Sequence, residues 1–300
     1  MEIKQLEIFA CVAKKLSFSK VAEEMFVSQP TVSTQINALE KAVGVQLFVR
    51  NTKGVILTKS GADFLSYAEK ILTLRDQALA RICPDDTDIT GEIDIISSTI
   101  PAQHLLPERI ASFQKQRPGI ILRVEQADSS RVVSTMSGFK YDFGMIGTTP
   151  DEGRFHSCPI YDDELILVLP KDFPHSAEAI QESFPETITS APFIMREAGS
   201  GTRAEIEGLL SRIGVDFRKL HIPAYFADTH SIVEAVAHGM GIALVSKIAA
   251  QMYVQAGLVQ AVEMKSKIFT RKIHLIYNKE RWLSPVQQAF LDHMCEISRM

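Results

Sequence analysis

Residues 17–40, SFSKVAEEMFVSQPTVSTQINALE, constrain this chain more than any other stretch. Ser17 and Ser28 each precede a helical pattern, where a serine hydroxyl can accept from an unpaired first-turn N–H. Pro30 falls in the first turn of the second helix, where a missing N–H removes nothing. Val32, Ile36, Leu39 and Val43 recur at helical spacing, and Gly44 closes that helix. Upstream, Ile3, Leu6, Phe9, Ala10 and Ala13 give residues 2–15 an apolar face. The stretch predicts two short helices around a tight break, packed on a third.

Two apolar runs follow, 45–50 and 55–58, flanking Asn51-Thr52-Lys53-Gly54. That is the turn chemistry of a β-hairpin. Three helices and a hairpin make a winged helix-turn-helix over residues 1–59. Its outward residues are Gln29, Thr31, Ser33, Thr34 and Asn37, types that bond base edges or phosphates. Arg50, Lys53 and Lys59 on or beside the hairpin suit phosphate or minor-groove contact. The candidate DNA-binding set is Ser17, Ser19, Ser28, Gln29, Pro30, Thr31, Ser33, Thr34, Asn37, Arg50 and Lys53. Taken alone, these residues fit a solvated helix face equally well. Charge helps decide: residues 1–60 hold eight basic and five acidic side chains, a net of +3, whereas the whole chain is at -4. A basic head on an acidic body fits a local polyanion contact.

A long helix is expected from Ser60 or Gly61 to about Ile82. Phe64, Leu65, Ala68, Ile71, Leu72, Leu79 and Ile82 mark a near-heptad stripe interrupted by Arg75. Such a stripe buries itself against a copy of itself or against its own domain. Residues 84–91, PDDTDITG, read as a polar linker. From residue 92 strands and helices alternate, which predicts α/β sheets with parallel pairing in two subdomains, 92–161 with 267–300, and 162–266. Strands are expected near 93–97, 120–125, 143–146, 165–169, 192–195, 222–226, 242–245 and 272–277. Helices are expected near 102–116, 130–137, 201–213, 230–237, 247–255 and 285–297. The domain plan is therefore 1–59, 60–91 and 92–300.

Five strand-to-helix junctions in this body carry small hydroxyl residues: Ser97-Ser98-Thr99, Asp128-Ser129-Ser130, Gly147-Thr148-Thr149, Gly199-Ser200-Gly201-Thr202 and Asp228-Thr229-His230-Ser231. Ligands of open α/β sheets sit beyond the carboxyl ends of strands, and helix N-termini favour anions. Each serine or threonine also suits a helix cap. The candidate effector-binding set is Ser97, Ser98, Thr99, Ser129, Gly147, Thr148, Arg196, Ser200, Gly201, Thr202, Thr229 and His230. No cofactor or metal site is expected. "GSGTR" lacks the Gly-Lys-Ser/Thr ending of a Walker loop, and no GxSxG is present, so the chain is not expected to be an enzyme. Asp162-Asp163-Glu164 reads as a solvated crossover turn. The four cysteines, Cys11, Cys83, Cys158 and Cys295, lack metal spacing and read as free thiols of a reducing compartment. With no run of 18 apolar residues and no signal-peptide pattern at the N-terminus, a cytoplasmic protein is expected.

The order of these parts, and the stretch from LEIFACVAKKLSF to VILTKSG above all, strongly resembles the LysR-type transcriptional regulators. LLPERIASFQKQRPGIIL, DFGMIG and VAHGMGIALVS extend the resemblance to nearly the whole chain. It implies a winged-helix DNA-binding domain, a dimerising linker helix and a periplasmic-binding-protein-like two-subdomain α/β effector domain. It also implies a homotetramer that binds promoter DNA and contacts RNA polymerase. Gln29, Pro30, Thr31, Ser33 and Arg50 match the family's DNA-contact pattern, while Thr34 stands where many members carry arginine. Ser98, Thr99, Gly147, Thr148, Thr202 and Thr229 match its effector pocket, and Pro101 departs from the glycine often found there. REAGSGTR is similar to members governing sulfur or related inorganic-anion metabolism, including a selenium-associated group. The expectation is a regulator governed by a small anionic effector. The competing reading is a small-anion solute-binding or catalytic α/β protein with an incidental helical N-terminus.

Overall fold

The anticipated serine caps form and open the second and third helices. Ser17 Oγ accepts from the N–H of Lys20 at 3.3 Å, opening α2 (Phe18–Glu24), and Ser28 Oγ accepts from Thr31 at the same distance, opening α3 (Gln29–Val43). Gly44 ends α3 in the left-handed region, φ 77°. With α1 (Ile3–Lys15) these helices bury Leu6, Phe9, Val12, Val21, Val32, Ile36 and Leu39 almost completely. The computed structural model describes residues 1–51, 54–82, 90–137, 140–264 and 266–297. It divides into one unit of Met1–Gly91 with Asn278–Phe290 and a second of Glu92–Tyr277 with Leu291–Met300.

In the first unit, β1 (Phe48–Asn51) pairs antiparallel with β2 (Gly54–Leu57), the anticipated hairpin. The Glu40 carboxylate near the end of α3 accepts from the N–H groups of Leu47 and Phe48 at 2.7 and 3.1 Å. These charge-assisted bonds set the angle at which the hairpin leaves the helix. Thr58 then donates to the carbonyl of Gln46 at 2.8 Å and accepts from the N–H of Gly61 at 2.8 Å, which starts α4 (Lys59–Ile82). A Cβ on Gly61 would lie 2.1 Å from the Leu47 oxygen, so only glycine allows this approach.

The stripe on α4 is divided. Leu65 and Ala68 are buried within the unit, while Tyr67, Ile71, Leu74 and Leu79 are exposed. Arg75, which interrupts the stripe, pairs with Glu7 of α1 and with Asp76. A helix packed on α1 needs one apolar face inward, and the rest is left outside. Ile82's side chain, Cys83 and linker residues 84–89 lie outside the described residues.

The second unit holds β3 (Gly91–Ser97), α5 (Leu106–Gln116), β4 (Ile120–Gln126), α6 (Ser129–Met136), β5 (Phe143–Ile146) and β6 (Phe155–Pro170). It continues through α7 (Ala177–Glu182), α8 (Phe184–Ser190), β7 (Met195–Arg196), α9 (Gly201–Arg212), β8 (Tyr225–Phe226), α10 (Thr229–Ala237) and β9 (Ala243–Ser246). The last elements are α11 (Lys247–Gln255), β10 (Val259–Val262), β11 (Thr270–Asn278) and the later part of α12 (Pro285–Ile297), whose residues 285–290 belong to the first unit. Strand order is β10-β6-β11-β5-β3-β4, with β9 also on β6 and β7 paired with β8. Pairing is mixed rather than parallel throughout: β3/β5 and β7/β8 are parallel, but β11/β5, β6/β9 and β10/β6 are antiparallel. The parallel pairs lie where a helix intervenes between strands; β6 and β11 return across the sheet.

Apolar clusters lie along this sheet around Leu167, Phe193, Leu209 and Leu244, around Val168, Ile194, Val236 and Val245, and around Ile96, Val132, Ile146 and Phe155. The 16-residue β6 overturns the solvated turn expected at 162–164. Strand alternation exposes Asp162 and Glu164 and buries Asp163 completely. The free-thiol expectation also needs correction: Cys158 of β6 and Cys295 of α12 pair as a disulfide, Cα atoms 6.6 Å apart across 137 residues. Cys11 is free and half-buried. Among the described residues no helix is long and apolar enough to cross a membrane.

Gly61→Ala is expected to lower stability by about 1–3 kcal/mol through backbone overlap. Gly208→Ala, inside α9 with nothing nearer its Cβ than 3.8 Å, should raise it by roughly 0.5–1 kcal/mol through helix propensity. Urea midpoints of the two variants check the pair, and equal signs would contradict it.

Candidate functional site

On the head, Gln29, Pro30, Thr31, Thr34 and Asn37 are exposed along α3, and Ser33 is half-buried. The serines before α3 are partly spoken for. Ser19 Oγ donates to Gln29 Oε1 at 3.1 Å, and Ser28 Oγ lies 2.8 Å from Thr31 Oγ1. These bonds hold Gln29 and Thr31 in place at the helix N-terminus. Arg50 pairs its backbone with Val55 in the hairpin; its side chain, and all of Lys53, lie outside the described residues. Phe26 was not anticipated. It occupies the break between α2 and α3 with φ 51° and is 95 % exposed. The signal available was an aromatic residue at a helix break.

In the second unit, five segments converge on one cavity. It is lined by Ser98, Thr99, Asp128, Ser129, Gly147 and Arg196 on one arc, and by Ser200, Gly201, Thr202, Arg271, Ile100 and Ile273 on the other. Eight of the twelve anticipated residues therefore meet: Ser98, Thr99, Ser129, Gly147, Arg196, Ser200, Gly201 and Thr202. The remaining four do not line it. Ser97 is fully buried and donates to the carbonyl of Ser98 at 3.1 Å. Thr148 lines an adjoining open groove with Ser129, Ser200, Gly201 and Arg203. Thr229 accepts from Arg196 Nη1 at 3.3 Å. His230 bonds the Tyr253 hydroxyl at 2.7 Å instead.

Two buried guanidiniums organise the cavity. Arg196, 3 % exposed, makes a two-point contact with Glu197 at 2.8 and 3.0 Å, and donates to the Ala227 carbonyl at 2.9 Å. It also reaches Thr99 Oγ1 at 3.4 Å. Arg271, not anticipated, pairs with Asp163 at 2.8 Å and donates to Thr202 Oγ1 at 3.1 Å. Ser246 donates to the other Asp163 oxygen at 2.5 Å. Asp128 caps α6, accepting from the Arg131 N–H at 2.9 Å and the Ser130 hydroxyl at 2.6 Å. Burial opposes its charge, but these bonds prevail and hold its carboxyl below the usual range. Burial holds His104 below its ordinary value, against the pull of Asp163.

The space left is small, a cavity of about 10 Å³, about one water. A Cβ on Gly201 would lie 2.4 Å from Ser129 Oγ, so the first turn of α9 can sit this close to α6 only as glycine. With each guanidinium already matched by a carboxylate, hydroxyls and N–H groups are the donors toward the cavity. The arrangement suits holding a small solute more than breaking a bond. Among the described residues no cluster of three or more His, Cys, Asp or Glu has metal-site geometry.

Comparison with known proteins agrees with this layout. Residues 3–62 match the model described as "Bacterial regulatory helix-turn-helix protein, lysR family", and residues 87–297 match "LysR substrate binding domain". A probable RuBisCO transcriptional regulator of Guillardia theta is 30% identical over 292 residues, covering 96% of this chain and 93% of that protein. A full-length OxyR variant from Pseudomonas aeruginosa has a similar fold, with a TM-score of 0.77 at 17% identity over 100% of this chain and 95% of that one. Full-length CbnR complexed with its target DNA matches with a TM-score of 0.56 at 20% identity, over 99% of this chain and 100% of that one.

Asp163→Ala leaves Arg271 buried without its carboxylate, and is expected to lower stability by about 3–5 kcal/mol. Urea unfolding followed by circular dichroism measures it, and a change under about 1 kcal/mol would remove the pair from its organising role.

Proposed function

The chain belongs to the LysR family of bacterial transcriptional regulators, and from that premise we propose that it answers to a small oxyanion held in the cavity around Arg196 and Arg271. The observation that carries this reading is the pair of buried arginines that line the cavity together with neutral hydroxyl donors. Ser98, Thr99, Ser129 and Thr202 supply hydroxyls, and the first turns of α6 and α9 supply N–H groups. Each of these positive charges is balanced locally and the ionised Asp128 adds a carboxylate to the lining, so a small anion would be held by the hydroxyl and N–H donors rather than by net charge. Sulfate, selenate and phosphate are the ligand class by the neutral donors around the cavity and by the likeness of REAGSGTR to anion-responsive members.

On this reading residues 1–59 bind promoter DNA, 60–91 join protomers and 92–300 sense the effector, with arms 92–161 plus 267–300 and 162–266. CbnR in its DNA complex supports the first assignment by likeness of fold. Gln29, Ser33 and Asn37 would meet base edges and Arg50 and Lys53 the backbone. Exposed Tyr67, Ile71, Leu74 and Leu79 on α4 would lie against the same helix of a second copy. RNA polymerase is the further partner, and the chain carries out no reaction of its own.

Melting of the full chain should rise by about 5–10 °C at an effector concentration near 100 times its Kd. Screening sulfate, selenate, phosphate and acetate identifies the class. Thr99→Val and Thr202→Val should abolish the rise while leaving operator affinity within about twofold; a rise kept in both variants puts the effector elsewhere.

For the head, Thr34→Arg adds a long cation to α3. It should tighten binding to the chain's own upstream DNA and steepen the log K against log salt slope by about one. An unchanged slope would place that position off the DNA.

A further inference from the structure

We propose that Cys158 and Cys295 form a reversible thiol–disulfide site that responds to low-molecular-weight disulfides. The two residues lie 137 positions apart, yet their Cα atoms are 6.6 Å apart, within the span one disulfide bridges. Other bonds hold them there. Arg109 of α5 donates to the carbonyl of Ile160, two residues beyond Cys158, at 2.7 Å, and to that of Met294, next to Cys295, at 3.0 Å. Ser112 of α5 lies 2.8 Å from His293 Nε2, and the Phe113 and His293 rings meet at 5.3 Å, tilted by 56°. One face of α5 thus fixes β6 and α12 in register whether or not the sulfurs are joined.

This pre-positioning is what thiol–disulfide exchange needs. Both cysteines are partly exposed, so a small disulfide reaches them. One thiolate attacks a sulfur of RS–SR, forming a mixed disulfide and releasing RS⁻. The second protein thiolate attacks the protein sulfur of that mixed disulfide and releases the second RS⁻. The protein gives up two electrons and two protons, and RS–SR becomes two RSH. A small dithiol reverses the sequence. Cys11 is the internal contrast, since burial pushes its thiol up and thins its thiolate.

The full chain is incubated with oxidised glutathione or with dithiothreitol, quenched in acid, alkylated and digested without reduction. The expected product is a single Cys158–Cys295 cross-linked peptide that disappears on dithiothreitol treatment of the native protein. The oxidised chain should melt about 5–10 °C above the reduced one. Cys158→Ser and Cys295→Ser should each abolish that difference and, in dithiothreitol, melt like the reduced parent. Three results would overturn the site: both cysteines alkylated after oxidation, glutathione retained on one cysteine with no cross-link, or a cross-link that survives excess dithiothreitol on the native chain.

Discussion

A buried guanidinium keeps its charge, so every one of its donors must find an acceptor. Among the described residues of the second unit three arginines meet this condition, and each does so where segments distant in sequence come together. Arg109 joins α5 to β6 and α12 through two carbonyls. Arg196 gathers Glu197, Ala227, Thr229 and Thr99. Arg271 joins β11 to Asp163 on β6 and to Thr202 at the start of α9. Apolar packing drives collapse of the sheet and its helices without choosing an orientation. The unit's polar geometry is chosen by these charges, and the cavity is what remains between two of them.

The head was largely legible from the sequence because its decisive interactions are local. Ser17 and Ser28 cap helices three residues away, and Gly44 closes α3 one residue past its end. The body was legible where a strand meets a helix, which is why eight cavity residues were anticipated. Arg271 was not, because its partner Asp163 is 108 residues away and an Arg-Lys pair opening a strand resembles surface charge. Asp163 itself was hidden between two acids that do reach solvent. His230 was misjudged for a related reason: its neighbours sit at a helix start, yet the rotation of α10 carries its ring to Tyr253. Strand β10 and helices α7 and α8 are too short to display a period.

In the head, one carboxylate does for two elements what no apolar contact does. Glu40 takes the first two N–H groups of the hairpin, and Gly61 lets the next helix begin against the Leu47 carbonyl. Helix α3, the hairpin and the start of α4 are consequently one rigid piece. That bears on a helix whose first-half outward side chains, Gln29, Thr31, Thr34 and Asn37, are uncharged. With Thr34 where a long cation is common, the side chains proposed to read bases would have little reach of their own, and the hairpin would have to be delivered at a set distance.

The closure of the cavity also bears on tempo. On the proposed reading, space for about one water beside the Thr99–Arg196 and Thr202–Arg271 bonds would admit an oxyanion only while those bonds are parted. Uptake is then gated by opening rather than by encounter. At low ligand the observed rate rises with concentration, and above that it levels off at the opening frequency of the arms. Escape passes the same gate, so a captured anion is released slowly. On that reading the chain would average over brief fluctuations in supply and register only changes that outlast its own opening time.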